Sequence, residues 1–182
     1  MFWVNLTAYC LMLAVAYTAA WTDVRTGKVF NRLTYPAILL GMVFWSVVAI
    51  TTGSTERLAD CGIALLAAAI PYTVIVLMGA LGGGDLKLMV ALAALSASWP
   101  LVLATSVYAL LFAAIFALIL IIRHGLLKQT LLRLLTGQFG KRDVQSDRYP
   151  TVPFAVAIAA GATLAGAEFL LGWQSPWAAF GP

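Results

Sequence analysis

Few residues in this chain have chemistry to offer, and two carboxylates stand out among them. Asp23 follows a long apolar run, and Asp85 follows three consecutive glycines, Gly82, Gly83 and Gly84. An ionisable side chain at membrane depth costs about 2.5 to 3.5 kcal/mol on insertion scales, so it meets a polar cavity or a partner. Near the interface the cost is smaller, and each acid alone has a plain explanation as a helix cap or a water boundary; Asp85 is placed to cap a helix starting at Leu86. Two acids on one membrane face, with glycines opening space beside one of them, fit a working site better. Like charges a few ångströms apart cannot both ionise easily, so one keeps its proton. The ionised member can draw a proton from water while the protonated one polarises a carbonyl or donates to a leaving amine. That is peptide hydrolysis without a covalent intermediate.

Other chemistries lack parts. His124 is the only histidine, lies in a basic loop and reads as a solvated residue, so no serine or cysteine nucleophile with a histidine base is visible. One histidine and two widely spaced acids give too few ligands for a metal site. Cys10 and Cys61 have neither the number nor the spacing of a disulfide framework and read as small buried hydrophobes. No cofactor is expected, and no nucleic-acid partner.

The elements that must position the two acids are membrane helices. Of the 182 residues, 63% are hydrophobic and 10% charged, too apolar for a domain that covers itself with water-compatible side chains. About 20 mostly apolar residues cross the hydrocarbon as a helix, and six such stretches are expected, at residues 4–21, 36–51, 58–81, 86–98, 101–122 and 151–173. The first lacks the basic start of a secretory signal and is read as a retained crossing. Pro36 falls in the first turn of the second stretch and Pro71 inside the third, where a kink is expected, while Trp99 and Pro100 close the fourth. The expected fold class is an all-α membrane protein, a six-helix bundle forming one polytopic domain over residues 1–182.

Basic loops stay on the cytoplasmic side. The connectors after crossings one and five, together with Lys87 just inside the start of the fourth crossing, hold ten of the eleven Lys and Arg residues, leaving only Arg57 on the other side. Both termini are therefore expected outside and both carboxylates at the cytoplasmic face.

With these residues in view, the chain resembles the type IV prepilin peptidases, which belong with the GxGD intramembrane aspartic proteases. The run Gly82-Gly83-Gly84-Asp85-Leu86-Lys87-Leu88 looks like the family's GGGDxKL signature, which carries one catalytic aspartate. The segment Asp23 to Asn31 resembles the other signature, with Val29-Phe30-Asn31 in place of the usual Ile-Pro-Asn. Val152-Pro153-Phe154-Ala155 is similar to the late Pro-Phe-Gly segment, with alanine for glycine. The resemblance implies Asp23 and Asp85 as a catalytic pair, with Gly82, Gly83, Gly84, Lys87, Asn31 and Pro153 as supporting motif residues. It also implies a pilin or pseudopilin precursor as substrate, cut to remove its short basic leader at the cytoplasmic face of the bacterial inner membrane. Long members carry a cysteine-bearing cytoplasmic insert and methylate the new terminus. This chain looks instead like the short, cleavage-only branch serving tight-adherence (Flp-type) pili.

Several residues are weighed separately. Lys87 lies about 200° around the helix from Asp85 and reads first as a snorkelling lysine, with a contact to substrate backbone or to Asp23 as the alternative. Glu168 is expected at a helix interface or on the outer surface. Leu127, Leu131, Leu134 and Leu135 share one face of an amphipathic segment expected to lie on the cytoplasmic membrane surface, where lipid or Asp143 and Asp147 offset its bases. Two rival functions use the same features: a carboxylate-dependent transporter or channel subunit, and a non-catalytic membrane protein of a pilus assembly machine. Cleavage of a precursor separates the first reading from both.

Overall fold

Hydrocarbon offers backbone N–H and C=O groups no partner, so a chain this apolar pairs them within helices. The computed structural model describes residues 2–125 and 153–171, and every regular element among them is an α-helix. In chain order these are α1 (Phe2–Thr26), α2 (Asn31–Thr52), α3 (Glu56–Leu77), α4 (Gly83–Ser96), α5 (Trp99–Arg123) and α6 (Phe154–Leu171). By length and composition α1, α2, α3 and α5 are able to cross a membrane, with mean hydropathies from 1.4 to 2.6. Large side chains such as Leu39, Val43, Leu66, Ile70, Leu111 and Ile115 are exposed along α2, α3 and α5, as expected of surfaces facing lipid. The amphipathic segment around Leu127 to Leu135, together with Asp143 and Asp147, lies outside the described residues.

Helix ends differ from the expected ones where side chains extend or stop the backbone ladder. α1 continues past Trp21 to Thr26, with the Arg25 guanidinium 4.1 Å from the Trp21 ring centre, a contact that the four-residue helical spacing permits. Asp23 is therefore inside a helix and not in a loop. α2 starts earlier, at Asn31, which moves Pro36 from the first turn into the body of the helix. Pro71 is inside α3, which stops at Leu77. Ala97, in a left-handed conformation with φ 44°, ends α4. Trp99 and Pro100 open α5 rather than close α4, because a proline at the first helical positions gives up only an amide that lacks a partner anyway.

Successive helices alternate in direction, and α4 runs through the middle of the bundle in contact with all five of the others. That position explains its sequence. Leu88, Met89 and every residue from Ala91 to Leu95 are buried, so α4 has no water-facing stripe and needs none. Fourteen residues make a rod of about 21 Å, short of the roughly 30 Å hydrocarbon core, and its neighbours carry the crossing.

Helices in lipid gain little from burying apolar surface against one another, so they associate through close backbone approach and buried polar contacts. At the α2–α4 crossing a Cβ added to Gly41 would lie 2.5 Å from the Ala94 carbonyl and 2.8 Å from the Leu95 amide nitrogen. One turn along, the buried Trp45 donates its indole N–H to the Leu95 carbonyl at 3.0 Å. Along α1 and α6 the Tyr9 hydroxyl reaches the carbonyls of Ala162 and Thr163, and the Tyr17 and Thr163 hydroxyls meet at 2.9 Å. Cys61 is buried with its thiol 3.5 Å from the Ala94 carbonyl. Cys10, expected to be buried, is exposed, because the inward face of α1 is the Ala8, Met12, Ala16 and Ala19 series. Glu168 accepts from the Tyr108 hydroxyl at 2.5 Å, the helix-interface role expected of it.

Replacing Gly41 by valine should force α2 away from α4. Thermal unfolding of Gly41→Val in detergent is expected to show a loss of about 1 to 3 kcal/mol, the usual range for overpacking; an unchanged midpoint would contradict the close crossing.

Candidate active site

The end of the bundle at which α1 finishes and α2, α4 and α6 begin carries the polar groups singled out in the sequence. Asp23 is in the last turn of α1 and Asp85 in the first turn of α4. Both are partly buried, and Val29, shortly after Asp23, packs against Gly84, directly before Asp85. Two acids from distant parts of the chain are thus brought to one end of the bundle.

Each carboxylate is held by a helix start. Pro153 precedes α6 and has no side-chain acceptor for the amides of the first turn, which need one. Asp23 supplies it from another helix: the Ala155 N–H donates to Asp23 Oδ2 at 3.3 Å. This is the place an N-cap side chain would fill, and the positive end of α6 attracts a carboxylate there. The Pro153-Phe154-Ala155 segment therefore contributes a backbone amide, which a search for reactive side chains passes over.

Asp85 is the third residue of α4, not its cap. The cap position is Gly82, which makes no side-chain bond, and the Asp85 carboxylate folds back over Gly82 toward its backbone N–H. This is the acidic half of a capping box. A Cβ on Gly82 would stand 3.3 Å from Asp85 Oδ2, crowding the carboxylate. Gly83 has open space, whereas a Cβ on Gly84 would lie 3.3 Å from the Val29 Cβ. The third glycine therefore lets the 27–30 connection rest against α4, bringing the two acidic motifs together.

Lys87 and Asn31 are the other link. Lys87 Nζ donates to Asn31 Oδ1 at 2.9 Å and sits 5.3 Å from the Tyr35 ring centre. Its stem crosses partly buried surface while its head ties the start of α2 to the start of α4, so its partner is Asn31 rather than Asp23. Tyr35 was not singled out, although it is four residues after Asn31 and so on the same helical face. His124 is exposed at the end of α5, and the described residues hold no cluster of three metal-ligating side chains.

Comparison with protein families matches residues 10–122, more than half of the chain, to the type IV leader peptidase family. The chain belongs to this family. A type IV leader peptidase is a protease, and with its apolar helices the protein is a membrane-embedded hydrolase. The matched segment contains Asp23, Asn31, Gly82 to Asp85 and Lys87, while Pro153 lies beyond it. No curated protein and no solved structure matches the chain.

The Val29–Gly84 approach is open to a direct check. With Cys10 and Cys61 replaced by alanine, the pair Val29→Cys and Gly84→Cys has Cβ atoms close enough for a disulfide. Mild oxidation should join the two peptides in mass spectrometry, and absence of the joined pair would show that the connection does not rest on α4.

Proposed function

We propose that this type IV leader peptidase is an aspartic endopeptidase in which Asp23 and Asp85 form the catalytic pair. The observation that carries the reading is their convergence at one end of the bundle, with Val29 of the first motif against Gly84 of the second and a helix-end amide on Asp23. Two carboxylates brought to one site favour a shared proton. The ionised member takes a proton from water, and the resulting hydroxide attacks the scissile carbonyl. The protonated member gives its proton to the carbonyl oxygen as the hydroxide adds; as the C–N bond then breaks, the proton taken from water passes to the leaving amine and the gem-diol returns a proton to the other acid. Both acids are partly buried rather than sealed, so water and an extended peptide can reach them where α4 begins.

The proposed substrate is a pilin or pseudopilin precursor, cut between its basic leader and its hydrophobic helix at the cytoplasmic face of the bacterial inner membrane. The placing of Arg25, Lys28 and Arg32 around the α1–α2 connection, Lys87 near the start of α4 and the remaining bases but Arg57 from Arg123 onward supports that orientation, with both termini outside. The connections between α1 and α5 are all short, and Cys10 and Cys61 both lie inside helices, which supports cleavage without methyl transfer. This favours the branch serving tight-adherence (Flp-type) pili.

Purified protein in liposomes should shorten a prepilin, with the new amino terminus read by mass. Asp23→Asn and Asp85→Asn are each expected to lower the rate by about a thousandfold or more, and the double variant by little beyond either, because groups acting as a unit are not additive. Processing at full speed by either folded single variant would overturn the proposal.

A further inference from the structure

Lys87 and Asn31 meet at the rim of the site, and the bond between them does more than join two helices. An ammonium has hydrogens to give and no lone pair, so the atom of the Asn31 amide that faces Lys87 Nζ at 2.9 Å is the oxygen. The amide is planar, and its nitrogen is thereby turned the other way. No group among the described residues accepts from that nitrogen, and Asn31 is exposed. Lys87 is itself restrained: it is partly buried, and its head lies 5.3 Å from the centre of the Tyr35 ring, within reach of a cation–π attraction. Two N–H donors are therefore presented in one orientation by the first residue of α2.

An extended peptide that reaches Asp85 brings backbone carbonyls that no helix pairs, and those on the side entering the hydrocarbon have no water to turn to. Asn31 is placed to meet one of them. Residues 29–31 run beside the start of α4, with Val29 against Gly84 and Asn31 bonded to Lys87, so this strip borders the turn that carries Asp85. Asp85 and Lys87 leave opposite flanks of that helix, which sets Asn31 a few residues along the peptide from the bond that is cut. Charge decides the direction. Lys28 and Arg32 stand on either side of Asn31 and are exposed; with Lys87 they repel a basic leader and admit the uncharged segment that follows the cut.

We propose that Asn31 binds the precursor by donating from its side-chain nitrogen to a backbone carbonyl on the hydrophobic side of the cut, with Lys87 as the positioning residue that aims the amide. The inference rests on the leader-peptidase reading in which Asp23 and Asp85 are the catalytic pair.

The test uses the full chain in detergent with a synthetic prepilin peptide, measuring kcat, KM and the melting temperature. Asn31→Asp keeps the oxygen that faces Lys87 but has no N–H to give, and Asn31→Ala loses both. Each is expected to raise KM by about tenfold, the effect of one hydrogen bond, with kcat within about threefold, as for a contact made equally in ground and transition states, and with an unchanged melting temperature. Lys87→Met should raise KM by about threefold, because the donors remain but are no longer aimed, and Lys87→Arg, which gives a donor back, should return it toward the wild-type value. A bond that only joins the helices survives in Asn31→Asp, so a wild-type KM in that variant would overturn the proposal. A raised KM in Asn31→Asp beside a normal one in Asn31→Ala would trace the effect to the added charge and overturn it as well. A wild-type KM in Lys87→Met would overturn the part given to Lys87. Asp85→Asn measured alongside keeps the two readings apart: an active Asp85→Asn sinks the catalytic pair itself, whereas an inactive Asp85→Asn with wild-type KM in both Asn31 variants sinks only the role of Asn31.

Discussion

A carboxylate taken partly out of water must be met by something that replaces water, and the architecture of this protein follows from meeting two of them at one place. Asp23 is met by the Ala155 amide at the start of α6. Asp85 is met by the backbone of Gly82 at the start of its own helix. Helix starts are suited to the task because their first amides have no partner within the helix and carry partial positive charge. The requirement brings the beginnings of α4 and α6 to the end of α1, and in an alternating bundle those three ends share one face.

The same requirement explains the unusual character of α4. A helix in the middle of a bundle is surrounded on every side, so apart from Asp85 and Lys87 its residues are small or apolar all round, chiefly leucine and alanine. Close approach follows: Gly41 lets α2 nearly touch the backbone of α4, and Trp45 spans the crossing with a hydrogen bond. Close packing of this kind is stiff, which fixes the start of α4 relative to its neighbours.

Lys87, Asn31 and Tyr35 act at the rim of the same arrangement. An exposed contact of this sort contributes little stability on its own. Its value is geometric: it joins the start of α2 to the start of α4 on one side of Asp85, while the Val29–Gly84 contact joins them on the other. The α1–α2 connection is held at both edges, and Asp23 comes with it.

Sequence alone determined that the chain is helical and membrane-embedded, since its hydrophobicity and the spacing of its charges leave no other way to pair the backbone. It also marked Asp23 and Asp85, because a charge beside an apolar run is costly enough to be conspicuous, and the glycines before Asp85 because their pattern is local. Tertiary structure decided the rest. Ala155 enters through its amide, which every residue but proline possesses, so no residue type advertises it. Tyr72 reads in sequence as one more aromatic in an apolar helix, and only the packing of α3 in the bundle shows that it is buried in the core. Asp85 reads as a cap for a helix at Leu86, yet the helix begins at Gly83, since glycine tolerates either conformation and leaves the choice to its neighbours. Local patterns record what each segment needs; which group answers that need depends on contacts between segments far apart in the chain.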